Sequence, residues 1–305
     1  MSDSAQSLSR KIAAATDLQG VVRSMKALAA SSITQYEKAV GSLDDYYRTL
    51  ELGLSACFRT AGPTAMPGKQ PARQSKIGAV IFGSDQGLVG GFNEVVVDFA
   101  TTALATKPGK LRRLWPVGDR ARALLTDTGL ISDDRFVVPN SVNAITSLVG
   151  QLLIDIEKAS DSGEVVDVYV FHNHPKSGSL YEPVCKQLLP LDDAWRKKLT
   201  EKPWPTKSLP EVIDGVPSAV HAFVRGYLFV LLFQACAESL ASENASRLAA
   251  MQRADKNIDS MLEDLTRTLH RVRQASIDEE LFDVISGFEA LTKHKRSQSV
   301  TKLRH

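Results

Sequence analysis

Between Ala241 and Leu291 the chain runs without proline, and without glycine until Gly287; its apolar residues fall at Leu248, Met251, Ile258, Leu262, Leu265, Leu269 and Val272. Steps of three and four, or of seven across the polar Asp255, draw one narrow stripe along a helix, as in a coiled-coil seam. A stripe of that width needs a partner. The N-terminal stretch supplies it, because Leu8, Ile12, Ala15, Val22, Ala29, Ile33, Tyr36, Val40, Leu43, Tyr47, Leu50 and Leu54 keep the same spacing. The two ends are therefore predicted to pair antiparallel as an intramolecular coiled coil. The first helix is expected from about Ser4 to Phe58, with Gly20, Gly41 and Gly53 as weak points at about 1 kcal/mol each relative to alanine. At 1.5 Å per residue, such helices would reach roughly 80 and 110 Å, longer than a small domain is wide. Something else must surround the bare end.

The middle of the chain has a different rhythm. The Pro- and Gly-rich stretch Thr60 to Ser75 reads as a linker. It is followed by a compact apolar strand, Lys76 to Phe82, a glycine-rich turn and a helix, the opening of an α/β unit. Further strands are predicted at Leu111 to Gly118 and Asp167 to His174, and further helices at Asp119 to Gly129 and Ile145 to Ser160. The order βαβαβ implies a small Rossmann-like sheet. Lys202 to Pro210 reads as a second linker back to the coil. The fold class is thus α/β: a long antiparallel coiled coil of the N- and C-terminal helices carrying a Rossmann-like βαβ domain. The expected division is a first coil helix at 1–60, a central domain at 76–200, a second coil helix at 211–291 and a basic tail at 292–305. The apolar run Ala222 to Ala237 is broken by Arg225 and Gly226, too short for a bilayer span, and is expected to bury against the central domain.

Charge and cysteine content narrow the function. In 305 residues, 37 basic against 35 acidic side chains leave a net charge of +2, so bulk electrostatics offer no case for nucleic acid. Cys57, Cys185 and Cys236 are odd in number and widely spaced, which signals neither a disulfide framework nor a zinc motif. The N-terminus shows no signal-peptide or Arg-rich leader pattern, so neither export nor organelle import is expected.

The turn Gly83, Ser84, Asp85, Gln86, Gly87, Leu88, Val89, Gly90, Gly91 invites a phosphate reading, since amides at a helix start attract anions. Its spacing matches neither GxGxxG nor a P-loop, and Asp85 would set a negative charge beside the phosphate. A structural turn built on Gly83, Asp85, Gly87, Gly90 and Gly91 is expected, with no cofactor. His172 and His174 share one strand face and could turn toward Cys185 or Glu182 as a metal site. With Pro175, Ser177, Gly178 and Ser179 following, a solvated turn is the favoured reading. No nucleophile-and-base set has catalytic sequence context. The tail Thr292 to His305 is basic without aromatics and is expected to be solvated, its first residues continuing the helix.

Three stretches, in order along the chain, resemble one family. ASENASRLAAMQRADKNIDSM with RQASIDEELFDVISG is similar to the C-terminal helix of the gamma subunit of F-type ATP synthase, VVRSMKALAASSI to its N-terminal helix, and GSDQGLVGGFN to its signature turn. The resemblance implies a non-catalytic rotor: a coil in the bore of the alpha/beta hexamer, and a globular domain meeting epsilon and the c-ring. It implies that Arg273, Gln274 and Asp278 touch catch loops of the catalytic subunits, and that Arg10, Lys11, Arg23, Met25 and Lys26 face the lower rim of the hexamer. It further implies a peripheral subunit on the cytoplasmic side of a bacterial inner membrane, touching the membrane only through partners. Gly20 stands where the family often has lysine, Gln86 replaces its signature arginine, Val89 its cysteine and Asp278 a threonine. Two rival readings are a nucleotide-binding α/β enzyme with a coiled-coil oligomerisation arm, resting on the glycine turn, and a basic-tailed adaptor resting on residues 292–305.

Overall fold

The computed structural model describes residues 4–61, 75–132, 134–176, 179–191, 193–207, 211 and 215–302. In order they form α1 (Ala5–Ser42), α2 (Asp44–Ala61), β1 (Ser75–Phe82), α3 (Phe92–Thr106), β2 (Gly109–Val117), α4 (Asp119–Asp127), α5 (Val142–Asp161), β3 (Asp167–Lys176), β4 (Ser179–Leu189), α6 (Asp193–Glu201) and α7 (Val216–Lys302). Most of the expected first linker lies outside the described residues. By contacts the chain divides into two compact units, residues 26–250 and residues 1–25 with 251–305.

The first unit is built on a four-stranded sheet in the order β2-β1-β3-β4. β1 pairs parallel with β2 and with β3, while β4 lies antiparallel to β3. The three parallel strands are those expected from the sequence. The apolar run of β1 is continuous because it is covered on both faces: Val80 and Phe82 join one core, Ile77, Ala79 and Ile81 the other. On the first face α5 contributes Ile145, Val149, Leu152 and Ile156, and α7 contributes Leu228, Leu232, Phe233 and Leu240. On the second face α3 contributes Val96, Val97 and Ala100, and α4 contributes Ala121 and Leu125. A third cluster joins Leu54, Cys57 and Phe58 of α2 to Leu199 of α6 and to Val220 and Tyr227 of α7.

By length and composition alone, α7 contains a window apolar enough to cross a membrane. The run from Ala222 to Ala237 on that helix supplies Leu228, Leu232, Phe233, Ala235, Cys236 and Ala237 to the first core, as expected.

Four features depart from the sequence reading. The first helix is not continuous: it breaks at Leu43, and Asp44 and Asp45 start α2 with acidic side chains against the positive end of a new helix. Of the weak points named on propensity, Gly41 stands in the last turn of α1 beside the break, while Gly53 has a packing role. A Cβ on Gly53 would lie 2.6 Å from the ring of Phe223, so its absence lets α2 and α7 approach. The edge strand β4 and the short helix α6 lay unrecognised, because β4 alternates only weakly and α6 has nine residues. Finally, α7 runs on to Lys302, so the tail from Thr292 is helical almost to its end.

Gly53→Val places methyl groups in the Phe223 ring and should destabilise the full chain by about 1–3 kcal/mol, as overpacking does. Equilibrium denaturation of the purified chain reads this out. An unchanged midpoint would mean that α2 slides freely along α7.

Candidate functional site

The glycine-rich turn from Gly83 to Gly91 sits at the switch point of the sheet, where the chain leaves β1 for opposite sides and α/β folds commonly take a ligand. Here the chain fills it. The Gly83 amide donates to the Val117 carbonyl at 2.8 Å, and a Cβ on Gly83 would lie 2.3 Å from that of Ala121. Asp85 accepts from the backbone amides of Asp119 and Val138 at 3.0 and 2.9 Å. Asp119 opens α4, so the positive end of that helix already faces a carboxylate of the same chain. The buried Asn93 accepts from the Ser84 amide and donates to the Ser84 hydroxyl, each at 2.8 Å. Gly90 and the exposed Leu88 take positive φ values of 59° and 64°. Gly87 and Gly91 border open space. From α7, Ser246 donates to the Val89 carbonyl and Ser242 to the Asn173 carbonyl, the latter at 3.0 Å. The phosphate reading loses its physical basis, because the groups that would attract an anion serve the fold.

The solvated turn expected at His172, Asn173 and His174 is overturned. β3 continues to Lys176, and both His172 and Asn173 are 0% exposed. Asn173 donates to the Phe92 carbonyl at 2.9 Å. The two imidazoles do share a face, as strand alternation requires. Their meeting point is Glu238 of α7, at 2.7 Å from His172 Nε2 and 3.0 Å from His174 Nδ1. Cys185, opposite Phe171, and Glu182, which pairs with Lys176, are not that partner. Burial raises the Glu238 carboxyl, but the His172 hydrogen bond, with Lys186 and His174, outweighs it and holds the pKa down to about 2. Burial pushes the His172 imidazole below its ordinary value against the pull of Glu238. No sequence signal linked strand and helix across so long a separation.

In the second unit α1 and α7 run side by side. Leu8, Ala15 and Val22 are buried on α1, and Met251, Ile258 and Leu269 on α7. Leu262, Leu265 and Val272 are half-buried. A polar layer interrupts the seam: Gln19 Nε2 donates to Asp259, and Arg23 Nε lies 3.4 Å from Asp255. Position rises along α1 as it falls along α7, so the pairing is antiparallel, as expected. Polar groups inside a seam fix its register. That register sets Ala5, the first residue of α1, opposite Arg273. From Arg273 to Phe288 every residue is exposed, including Ile277, Leu281, Phe282, Val284, Ile285 and Phe288. A second apolar line on α1, Leu18, Val21 and Leu28, is exposed as well.

The family model described as ATP synthase matches residues 4–291. Among curated relatives, the ATP synthase gamma chain of Syntrophus aciditrophicus is 28% identical over 288 residues, covering 94% of this chain and 98% of that one. The chain belongs to the gamma-subunit family of F-type ATP synthases. The gamma chain of Cupriavidus necator is 26% identical, over 92% of this chain and 97% of that one. Two solved assemblies share the fold. A chain of the Euglena gracilis mitochondrial ATP synthase, in an assembly of OSCP, F1 and c-ring, gives a TM-score of 0.59 at 16% identity, covering 95% of both chains. A chain of the Tetrahymena thermophila mitochondrial central stalk and c-ring gives 0.54 at 20% identity, covering 77% of this chain and 99% of that one.

The positions singled out by resemblance to the gamma family fall on the two helices. Arg10 and Lys11 are exposed on α1, and Met25 and Lys26 are half-buried. Arg23 is engaged by Asp255, yet its side chain remains 59% exposed. Arg273, Gln274 and Asp278 stand exposed on α7 where the pairing with α1 ends.

Ile258→Asp should destabilise the coil by on the order of 3 kcal/mol, since it buries an unpaired carboxylate. Leu262→Asp, at a half-buried position, should cost less. Hydrogen exchange of the amides from Ala5 to Met25 reports both; equal protection in the two variants would contradict this seam.

Proposed function

We propose that the chain is the central rotor shaft of an F-type ATP synthase, coupling ion flow through a c-ring to conformational cycling of the catalytic alpha and beta subunits, in ATP synthesis or hydrolysis. The observation that carries this reading is the end of α7. A single helix bearing Ile277, Leu281, Phe282, Val284, Ile285 and Phe288, each more than half exposed, presents more apolar surface than a free chain keeps in water without a partner. A hexamer bore lined by alpha and beta subunits is such an enclosure. Epsilon and the c-ring are the partners of the sheet-bearing unit.

The role is non-catalytic. Torque passes through packed side chains and a fixed register, and the turn that resembled a phosphate site is held together by its own carboxylate. The chain is part of the membrane-associated F1 complex. The finer assignment is to the cytoplasmic side of a bacterial inner membrane, with membrane contact only through partners. Within this reading, 1–60 and 211–291 are the shaft, 76–200 the carried domain and 292–305 an extension beyond the shaft. Arg10, Lys11, Arg23, Met25 and Lys26 face the lower rim of the hexamer, and Arg273, Gln274 and Asp278 meet the catch loops. Charged shaft residues against charged loops make a Coulombic guide that varies with rotation angle. The acid at Asp278 makes that contact one of charge.

The direct test is reconstitution with alpha and beta subunits and observation of a bead fixed to the sheet-bearing unit. ATP-driven rotation is expected; a hexamer that forms and hydrolyses ATP with the bead still would reject the shaft role.

Arg273→Ala combined with Gln274→Ala should lower ATP hydrolysis by the assembled complex several-fold, on the order of 1 kcal/mol of lost contact, with the melting temperature of the free chain unchanged. Full activity in the double variant would remove these residues from the catch contact. Deleting Thr292 to His305 should preserve assembly and alter hydrolysis more at low salt than at high salt, where screening weakens a basic segment's contacts.

A further inference from the structure

The sheet-bearing unit holds a cluster whose donor set goes beyond what pairing a strand with a helix needs. His172 Nε2 and His174 Nδ1 both point at one oxygen of Glu238, at 2.7 and 3.0 Å. The donor atoms of these three residues lie within 4.8 Å of one another. Strand alternation brings the two imidazoles to one face of β3, and α7 brings the carboxylate across from them. Two imidazoles and a carboxylate are a three-ligand set for tetrahedral zinc, with a fourth position left for water.

We propose that His172, His174 and Glu238 form a binding site for a divalent first-row transition metal, with Zn²⁺ the ion whose geometry the set fits, tying the end of β3 to α7.

The required rearrangement is small. Around a tetrahedral zinc with bonds of about 2.0–2.1 Å, ligand atoms sit about 3.3 Å apart, so the two contacts to Glu238 have to open by about 0.6 and about 0.3 Å. His174, with 42% of its side chain exposed, can take up that movement and gives the ion an entry path. The His172 ring is fixed by complete burial. Its Nδ1 has no hydrogen-bond partner among the described residues.

A supporting shell is present too: Gln234 Nε2 donates to the other Glu238 oxygen at 2.7 Å, orienting the carboxylate toward the imidazoles. Lys186 Nζ lies 3.5 Å from the oxygen that faces them, with 36% of its side chain exposed. It occupies the role of the cation in the metal's absence and swings toward solvent when the ion enters, so ammonium and metal compete for one carboxylate.

The test uses the full chain, stripped with a chelator, folded by circular dichroism, and titrated with Zn²⁺ by calorimetry against a competing chelator. Binding of one ion per chain is expected, with a rise in melting temperature. Gln234→Ala should weaken binding about 10–100-fold, as loss of a supporting hydrogen bond does. His174→Gln, a partly exposed position that spares the core, should weaken it further. Lys186→Met should tighten it. Co²⁺ in place of Zn²⁺ should give the visible bands of a four-coordinate nitrogen and oxygen site, without sulfur charge transfer, and Cys185→Ser should change nothing. No stoichiometric binding by the unaltered chain, equal affinity in His174→Gln, or a thiolate band lost in Cys185→Ser would each overturn the proposal.

Discussion

One helix is asked to satisfy two environments, and the rest of the structure follows from how it does so. In its first part, α7 is buried core, giving Leu228, Leu232, Phe233 and Leu240 to the sheet. Past Met251 the same helix narrows to a seam in which Ile258 and Leu269 are buried and Leu262, Leu265 and Val272 half-buried. Burial of apolar side chains at about 25 cal/mol per Å² holds the first part far more firmly than the second.

Between these two regimes lies a polar stretch, Glu238, Ser242 and Ser246, buried against the sheet. Each of these side chains has a partner on another element: Glu238 meets His172, Ser242 the Asn173 carbonyl, Ser246 the Val89 carbonyl. Buried polar groups cost little when paired and much when not. They consequently fix the axial and rotational position of α7 on the sheet, which apolar contacts alone would leave loosely specified. The same contacts close the crevice where an open α/β sheet would take a nucleotide, and a fold that commonly serves catalysis is here given over to holding a helix.

The seam, the parallel strands and the glycine turn were legible in the sequence because each has a short-range period or a fixed local geometry. Leu8, Ala15 and Val22 repeat by seven, and that repeat survives into burial. What escaped was set by long-range contact. The break at Leu43 does follow Gly41, a weak point the sequence marked, but Gly53 has its use only because Phe223 packs there. His172 and His174 looked like the approach to a turn since Pro175 follows, yet β3 runs through that proline as its pairing with β4 continues on the other side. Arg10, Arg273, Gln274 and Asp278 lie on exposed helix surface, where neither period nor packing marks one polar residue above another; only resemblance named them.

The exposed stretch of α7 from Arg273 to Phe288 has an energetic consequence for the enclosure proposed above. From Arg273 to Phe288 the side chains of α7 are exposed, and an exposed single helix is marginal in water, so part of the order of this stretch would come from the proposed enclosure. Ordering a segment consumes part of the free energy that burial of Phe282, Ile285 and Phe288 releases, and the net grip is weaker than the apolar area suggests. In the proposed bore, the hold on Phe282, Ile285 and Phe288 would be the difference between what their burial releases and what straightening the helix that carries them consumes.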